Sequence, residues 1–392
     1  MVRSFISAAA VLAVAGAALA QTTPVTFSGQ FGQGSIVLSR VGAAGGSTAL
    51  SSAATAVFLD EFRVTAGRGA SANVAYAQSL SLGSSTSGAR LTNSGTASSE
   101  GALSFARDAS GSSYLFLAGY DAAAGTAAVT GTSTTATPRT VGRIDISGNQ
   151  IYTSFADAYS GNNIRSVASP DGVNFLTAGA NTGIRSGAVG ASNSTIATAA
   201  FGGATPTNNR VINYYNGNAF VSSSSGAFQG VSALTATTTS LLPGFPTASG
   251  PSNYDFVFMN DSTIYVADDR TTTSGGLQRW NLVSGSWTLA YTINIPNSAA
   301  TGTVGLRGLT GSADGNDVAL YAVSTDNRLI GISDLLTNPS AAGATSASLV
   351  GNTFFSTTTT SYAFRGVEII PAPGSLALLG LGGLVAIRRR RN

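Results

Sequence analysis

Short apolar runs recur along the chain, each ending in a polar turn rich in Gly, Ser, Asn or Asp. Four stretches can be laid over one another: ALSFARDASGSSYLFLAG at 102–119, SVASPDGVNFLTAG at 166–179, DFVFMNDSTIYVAD at 255–268 and GLTGSADGNDVALYAV at 308–323. Each reads as a strand, a turn containing Asp with Gly or Ser, and a second strand rich in β-branched and aromatic residues, which is the signal of a hairpin. Third strands follow in VGRIDIS (141–147), GLQRWNL (276–282) and NRLIGIS (327–333), and a fourth in SWTLAYTIN (286–294).

First strands fall near Ala102, Ser166, Ile212, Phe256, Arg307 and Gly366, at intervals of 44 to 64 residues. Four-stranded antiparallel units at a spacing of about 40–50 residues predict a β-propeller, with unequal loops accounting for the scatter. The last first strand, AFRGVEII (363–370), has too little chain after it to build a unit. SIVLSRV (35–41), AVFLDEFRV (56–64) and NVAYAQSLSL (73–82) can complete it, closing the ring and removing exposed sheet edges. The expectation is therefore an all-β fold, a six-bladed β-propeller spanning 21–370, with seven blades as the alternative. A β-sandwich pair or a β-helix competes, but a β-helix needs a shorter and stricter repeat.

Composition agrees with a packed, exported all-β body. Hydrophobic residues make up 43% of the 392 residues and charged residues only 9%, so the chain is not a solvated disordered one. Cys and His are absent, which excludes disulfides, metal sites built on those ligands, Ser-His-Asp triads and Cys-His pairs. The basic pI comes from the ends. All 20 basic residues are Arg; Arg3 and Arg388 to Arg391 leave 15 in the middle against 17 acids. Nucleic acid needs a basic patch on the folded body, so it is not expected as a partner.

Both ends read as addresses. Arg3 precedes an apolar stretch from Phe5 to Leu19, and Ala18-Leu19-Ala20 is an A-x-A site. Residues 1–20 are expected to be a secretory signal peptide cleaved after Ala20. At the other end, Pro371-Ala372-Pro373 precedes SLALLGLGGLVAI (375–387) and then Arg388, Arg389, Arg390 and Arg391. A proline-rich site, a short apolar membrane helix and a positive stop that stays cytoplasmic place the body outside. This arrangement at 371–392 resembles the PEP-CTERM sorting signal of Gram-negative bacteria, with Pro-Ala-Pro where that family usually has Pro-Glu-Pro. The resemblance implies removal of the tail by a membrane protease, an exosortase, and membrane contact through the tail alone. From 35 to 370 the chain also resembles a group of secreted bacterial propeller proteins through IVLSRVG, VFLDEF, SGNNIRS, YVADDR, GGLQRW, LRGLTG and AFRGV. That resemblance implies the fold and no activity.

Aligning the first strands puts one charged residue at a similar point in each: Glu100, Arg165, Arg210, Asp255, Arg307 and Arg365. First strands line a propeller's central channel, so these six predict a ring at one mouth. Four Arg against two acids suits bidentate docking of an anion, such as an acidic polysaccharide or a carboxylate. A network of salt bridges capping the channel is the other reading. Glu100 and Asp255 also form the one carboxylate pair that could serve a carbohydrate hydrolase or lyase. Asp268-Asp269-Arg270, with Asp255 and Asp261, could offer oxygen ligands to calcium, but no D-x-[DN]-x-[DN]-G loop is present. Trp280, Trp287, Tyr265 and Tyr291 could stack a sugar or pack between blades. The expected role is that of an exported, non-catalytic binding protein of the cell surface or extracellular matrix, without cofactor or metal; the alternative is an Asp/Glu-dependent carbohydrate hydrolase or lyase.

Overall fold

The computed structural model describes residues 21–372, apart from 22, 85–87, 89, 192–193, 204–205, 247–249 and 300. The signal-peptide site at Ala18 and Ala20, and the sorting tail from Pro373 through Arg388, Arg389, Arg390 and Arg391, lie outside the described residues. Among the described residues no helix is long and apolar enough to cross a membrane.

The chain folds as a β-propeller. Four separate antiparallel sheets have strand orders that follow the chain. They start at the strands Ile164–Ala168, Asn209–Tyr215, Asn253–Asn260 and Leu306–Asp314. A larger sheet contains two more four-stranded sets. One runs Leu103–Arg107, Ser113–Tyr120, Arg139–Asp145 and Gln150–Phe155. The other runs Ala363–Ile369, Ile36–Val41, Ala54–Ala66 and Asn73–Ser81. The short strand Thr92–Ser94 joins the two sets.

The closing set unites the ends of the body. Ile36–Val41 pairs antiparallel with Ala363–Ile369, Ile36 opposite Ile369 and Val41 opposite Ala363. The first strand of each set packs on that of the next, from 103–107 through 164–168, 209–215, 253–260 and 306–314 to 363–369, which packs back on 103–107. The core is correspondingly divided. Each neighbouring pair of sheets encloses its own apolar cluster, such as Val37, Leu59, Leu103 and Leu115 between the closing set and the one after it. Both faces of most inner strands are therefore covered, which explains near-continuous burial in stretches such as Thr263–Asp268.

The turns form for the expected reason. Asp108 Oδ1 accepts the Ser110 and Ser112 N–H groups at 2.9 Å each, and Asp171 Oδ1 accepts those of Val173 and Asn174 at 2.9 and 2.7 Å. In the 255–268 unit the turn acceptor is Asn260, bonding Ser262 N–H at 2.9 Å, rather than Asp261.

Candidate functional site at the channel mouth

Several first strands carry a β-bulge where the sequence places the ring residue. The pairing register shifts between Asn209 and Ile212, between Asn253 and Phe256, and between Leu306 and Leu309. A bulge adds one unpaired residue and re-aims its neighbours, so it decides which side chain reaches the mouth.

Bridging hydroxyls reveal the true equivalences. Ser39 Oγ accepts Gly366 N–H (2.8 Å) and donates to Gly101 O (2.6 Å). Ser222 Oγ plays the same part between Val211 N–H (3.1 Å) and Tyr254 O. Gly101 and Tyr254 are thus equivalent to each other, as are Arg365 and Arg210; the shared bulge, with Tyr254 two residues before Phe256 as Arg210 is before Ile212, joins the two pairs. A second pattern agrees: Ser166 Oγ accepts Ile212 N–H at 3.1 Å, as Asp255 Oδ2 accepts Leu309 N–H at 2.9 Å. Asp255 thus matches Ser166, not Arg165.

The alignment of Asp255 with the arginines is corrected by one residue, and in a strand a one-residue slip turns a side chain to the other side. Asp255 is buried, its oxygens taken by the N–H groups of Phe256 (2.8 Å) and Leu309, and its charged neighbour is Glu368. Burial pushes the Asp255 carboxyl up to about 8 and that of Glu368 up to about 7. Glu368 Oε1 accepts from Thr310 Oγ1 at 2.7 Å. Glu100 also precedes its aligned position by one residue, yet it reaches the arginines. A Cβ on Gly101 would come within 2.7 Å of Arg365 Cβ, so the close approach of Arg365 requires glycine there.

Arg165, Arg210, Arg307, Arg365, Glu100 and Tyr254 then form one cluster near the starts of the first strands. The Tyr254 ring lies under two guanidiniums, 5.0 Å from Arg210 Cζ and 6.0 Å from that of Arg307, with Arg365 within electrostatic reach. Such stacking on an aromatic face favours the cation. Arg165 donates through Nη1 to Asn208 Oδ1 (2.6 Å) and Asn209 O (2.8 Å). Arg210 Nε donates to Ser224 Oγ at 3.0 Å, and Arg365 Nη2 to Gly95 O at 2.7 Å. These acceptors are neutral. Arg307 has a carboxylate neighbour, Asp269 Oδ2 at 3.5 Å.

The Nε atoms of Arg165, Arg307 and Arg365 are buried without a hydrogen-bond partner among the described residues. Burial, then the neighbouring Arg210, pulls the Arg165 guanidinium down to about 10, and burial lowers Arg365 likewise. Glu100 accepts from Tyr120 O–H (2.5 Å), Asn163 Nδ2 (2.6 Å) and Ser94 N–H (2.8 Å). Burial nevertheless raises its carboxyl above the ordinary value, these donors only moderating the rise. Buried guanidiniums held by neutral acceptors, with donors to spare, are equipped to take an anion.

The other candidates have structural partners. Glu100 and Asp255 each bind their own donors. Asp268 is engaged by Arg270 Nη2 (2.7 Å), Gln278 Nε2 (2.9 Å) and Ser252 N–H (3.1 Å). Among the described residues no group of three His, Cys, Asp or Glu side chains could hold a metal. Trp280 and Trp287 are buried, Trp280 stacked on Phe245 at 4.3 Å, while Tyr265 and Tyr291 both donate to Asp334 Oδ2 at 2.6 Å. These aromatics pack sheets together. Pro371 is half-buried and Ala372 exposed, just beyond Ile370, whose N–H bonds Ser35 O at 3.0 Å.

The mouth residues that the alignment missed are Tyr254, Tyr120 and Asn163. Tyr254 was one residue from the aligned Asp255, whereas nothing local to Tyr120 or Asn163 ties them to Glu100.

No family model matches the chain, and no curated protein matches it. Among solved structures, the chain is similar to the periplasmic gluconolactonase PpgL of Pseudomonas aeruginosa (14% identity, 79% of this chain and 80% of that one, TM-score 0.40). It is also similar to the WD40 β-propeller domain of Doa1 (13%, 50% and 61%, TM-score 0.32). A third is the extracellular domain of the putative one-component system BT4673 from B. thetaiotaomicron (13%, 59% and 26%, TM-score 0.34). The chain thus spans about three fifths of the Doa1 domain and a quarter of the BT4673 chain.

Proposed function

We propose that the chain is an exported, non-catalytic propeller of six blades, one per four-stranded set, that binds an acidic polysaccharide or similar anionic ligand at its Arg-lined mouth. The observation that carries this reading is the set Arg165, Arg210 and Arg365, whose hydrogen bonds go to Asn, Ser and backbone oxygens rather than to carboxylates. A capping salt-bridge network would pair guanidiniums with carboxylates, and among the described residues only Arg307 of the four has one at ion-pair distance. Export through the leader at 1–20 and sorting through 371–392, with an exosortase-like protease as partner, would place this mouth at the cell surface or in the extracellular matrix.

The exported protein, screened against acidic and neutral glycans, should retain uronate-containing chains and leave neutral ones unbound. Arg365→Ala and Arg307→Ala should abolish that retention. Equal binding of neutral glycans would overturn the anion reading, and release of new reducing ends would overturn the non-catalytic one.

A further inference from the structure

Besides Asp269, which is paired with Arg307, the arginines have Glu100 close by, and its fastening constrains it. Glu100 is buried, and the three donors Tyr120, Asn163 and Ser94 come from separate segments, so the side chain has no room to swing aside. The charged and titratable groups in reach are Arg365 on 363–369, Arg165 on 164–168, Arg139 on 139–145 and Tyr120 on 113–120. Arg139 is committed elsewhere: it donates to the carbonyls of Thr132, Thr137, Tyr159 and Asn162 and stacks on Tyr120 at 4.8 Å. It thereby ties down the loop that carries Asn163. The guanidiniums available to both Glu100 and an incoming anion are Arg165 and Arg365.

We propose that Glu100 is the resident counter-anion of the mouth, and that an acidic ligand binds together with one proton taken up by Glu100. This rests on the anion site proposed above. The ligand's negative charge takes over the field of Arg165 and Arg365 that favours ionised Glu100, and adds repulsion of its own. Glu100 cannot leave, so it takes a proton from solvent. The Tyr120 hydroxyl, a donor to the carboxylate, can turn and accept the new O–H. By linkage, a ligand that promotes protonation is bound more tightly where the proton is already present.

Isothermal titration of the full-length chain tests this, using short polygalacturonate and inorganic sulfate as probes. Neither changes charge between pH 5 and 8, and cationic buffers of different ionisation enthalpy report the protons exchanged. The expected result is net uptake of up to about one proton per ligand and affinity rising as pH falls, by at most about tenfold per unit. Glu100→Gln should bind at pH 8 more tightly than the wild type does there and lose the slope. Tyr120→Phe should keep the slope and move it to higher pH. Binding without proton uptake by the wild type, or a slope that survives Glu100→Gln, would overturn the role of Glu100 while leaving the anion site standing. Failure of both probes to bind at every pH would remove the site and this inference together.

Discussion

Arg40 is the sharpest test of how the closing set is packed. It lies on Ile36–Val41, the strand that receives the C-terminal Ala363–Ile369, and both Arg40 and Asp60 have no exposed surface. The guanidinium donates to Asp60 through Nε (2.6 Å) and Nη2 (3.0 Å) and lies between Phe58 and Phe355, 4.4 and 4.3 Å from their ring centres. Arg40→Met keeps most of the volume but leaves Asp60 buried with Ser79 Oγ, at 2.7 Å, as its remaining side-chain donor. Breaking a buried pair by removing one partner costs about 3–5 kcal/mol. At an unfolding entropy of about 2.1 cal/mol/K per residue, a body this long loses about 0.7 kcal/mol per degree, so the melting temperature should fall by about 4–7 °C. Arg40→Met with Asp60→Leu removes the stranded charge and should recover most of the loss. Differential scanning calorimetry of the three proteins decides it. A single variant melting within about 1 °C of the wild type would refute the claim that this pair is dry and paired.

Deleting 363–369 should open the ring and lower the melting temperature far more than Arg40→Met does; an unchanged melt would show that the circle is held elsewhere. Arg307→Ala, at a partly exposed and 3.5 Å-separated ion pair, should cost less than about 1 kcal/mol in chemical denaturation while abolishing anion binding. Asp255 and Glu368 keep their protons to about pH 8 and about pH 7 in the folded state. In the unfolded chain both lose them near pH 4. The native state then binds more protons between those limits, so the stability these two groups contribute is full below about pH 4 and declines as pH rises, by up to about 1.4 kcal/mol per unit per group. Urea midpoints from pH 4.5 to 8 should show the decline, and Glu368→Gln should flatten it; a midpoint rising across that range would contradict the burial of these carboxyls. Removing 375–392 should release the body into the periplasm or medium still folded, whereas aggregation would show that the tail belongs to the fold.

The strands and their circular order are legible in local sequence. Alternating apolar and turn-forming residues are local signals, and the six first strands lie where AFRGVEII, Ser166, Ile212 and their counterparts placed them. Completion of the last unit by SIVLSRV was legible too, because an unfinished set at one end and spare strands at the other have one economical solution. The composition of the mouth was only partly legible. The bulges at 209–212, 253–256 and 306–309 share one register that puts Arg210, Tyr254 and Arg307 at the same point, so Asp255, one residue further on, turns toward Leu309 and Tyr254 lies beside the arginines. The acceptors of Arg165 and Arg365 come from Asn208, Asn209 and Gly95, and those residues approach only when neighbouring sheets pack side by side. Tertiary structure alone decided whether the four guanidiniums found carboxylates, because partnership depends on three-dimensional approach between separate strands rather than on anything local to each arginine.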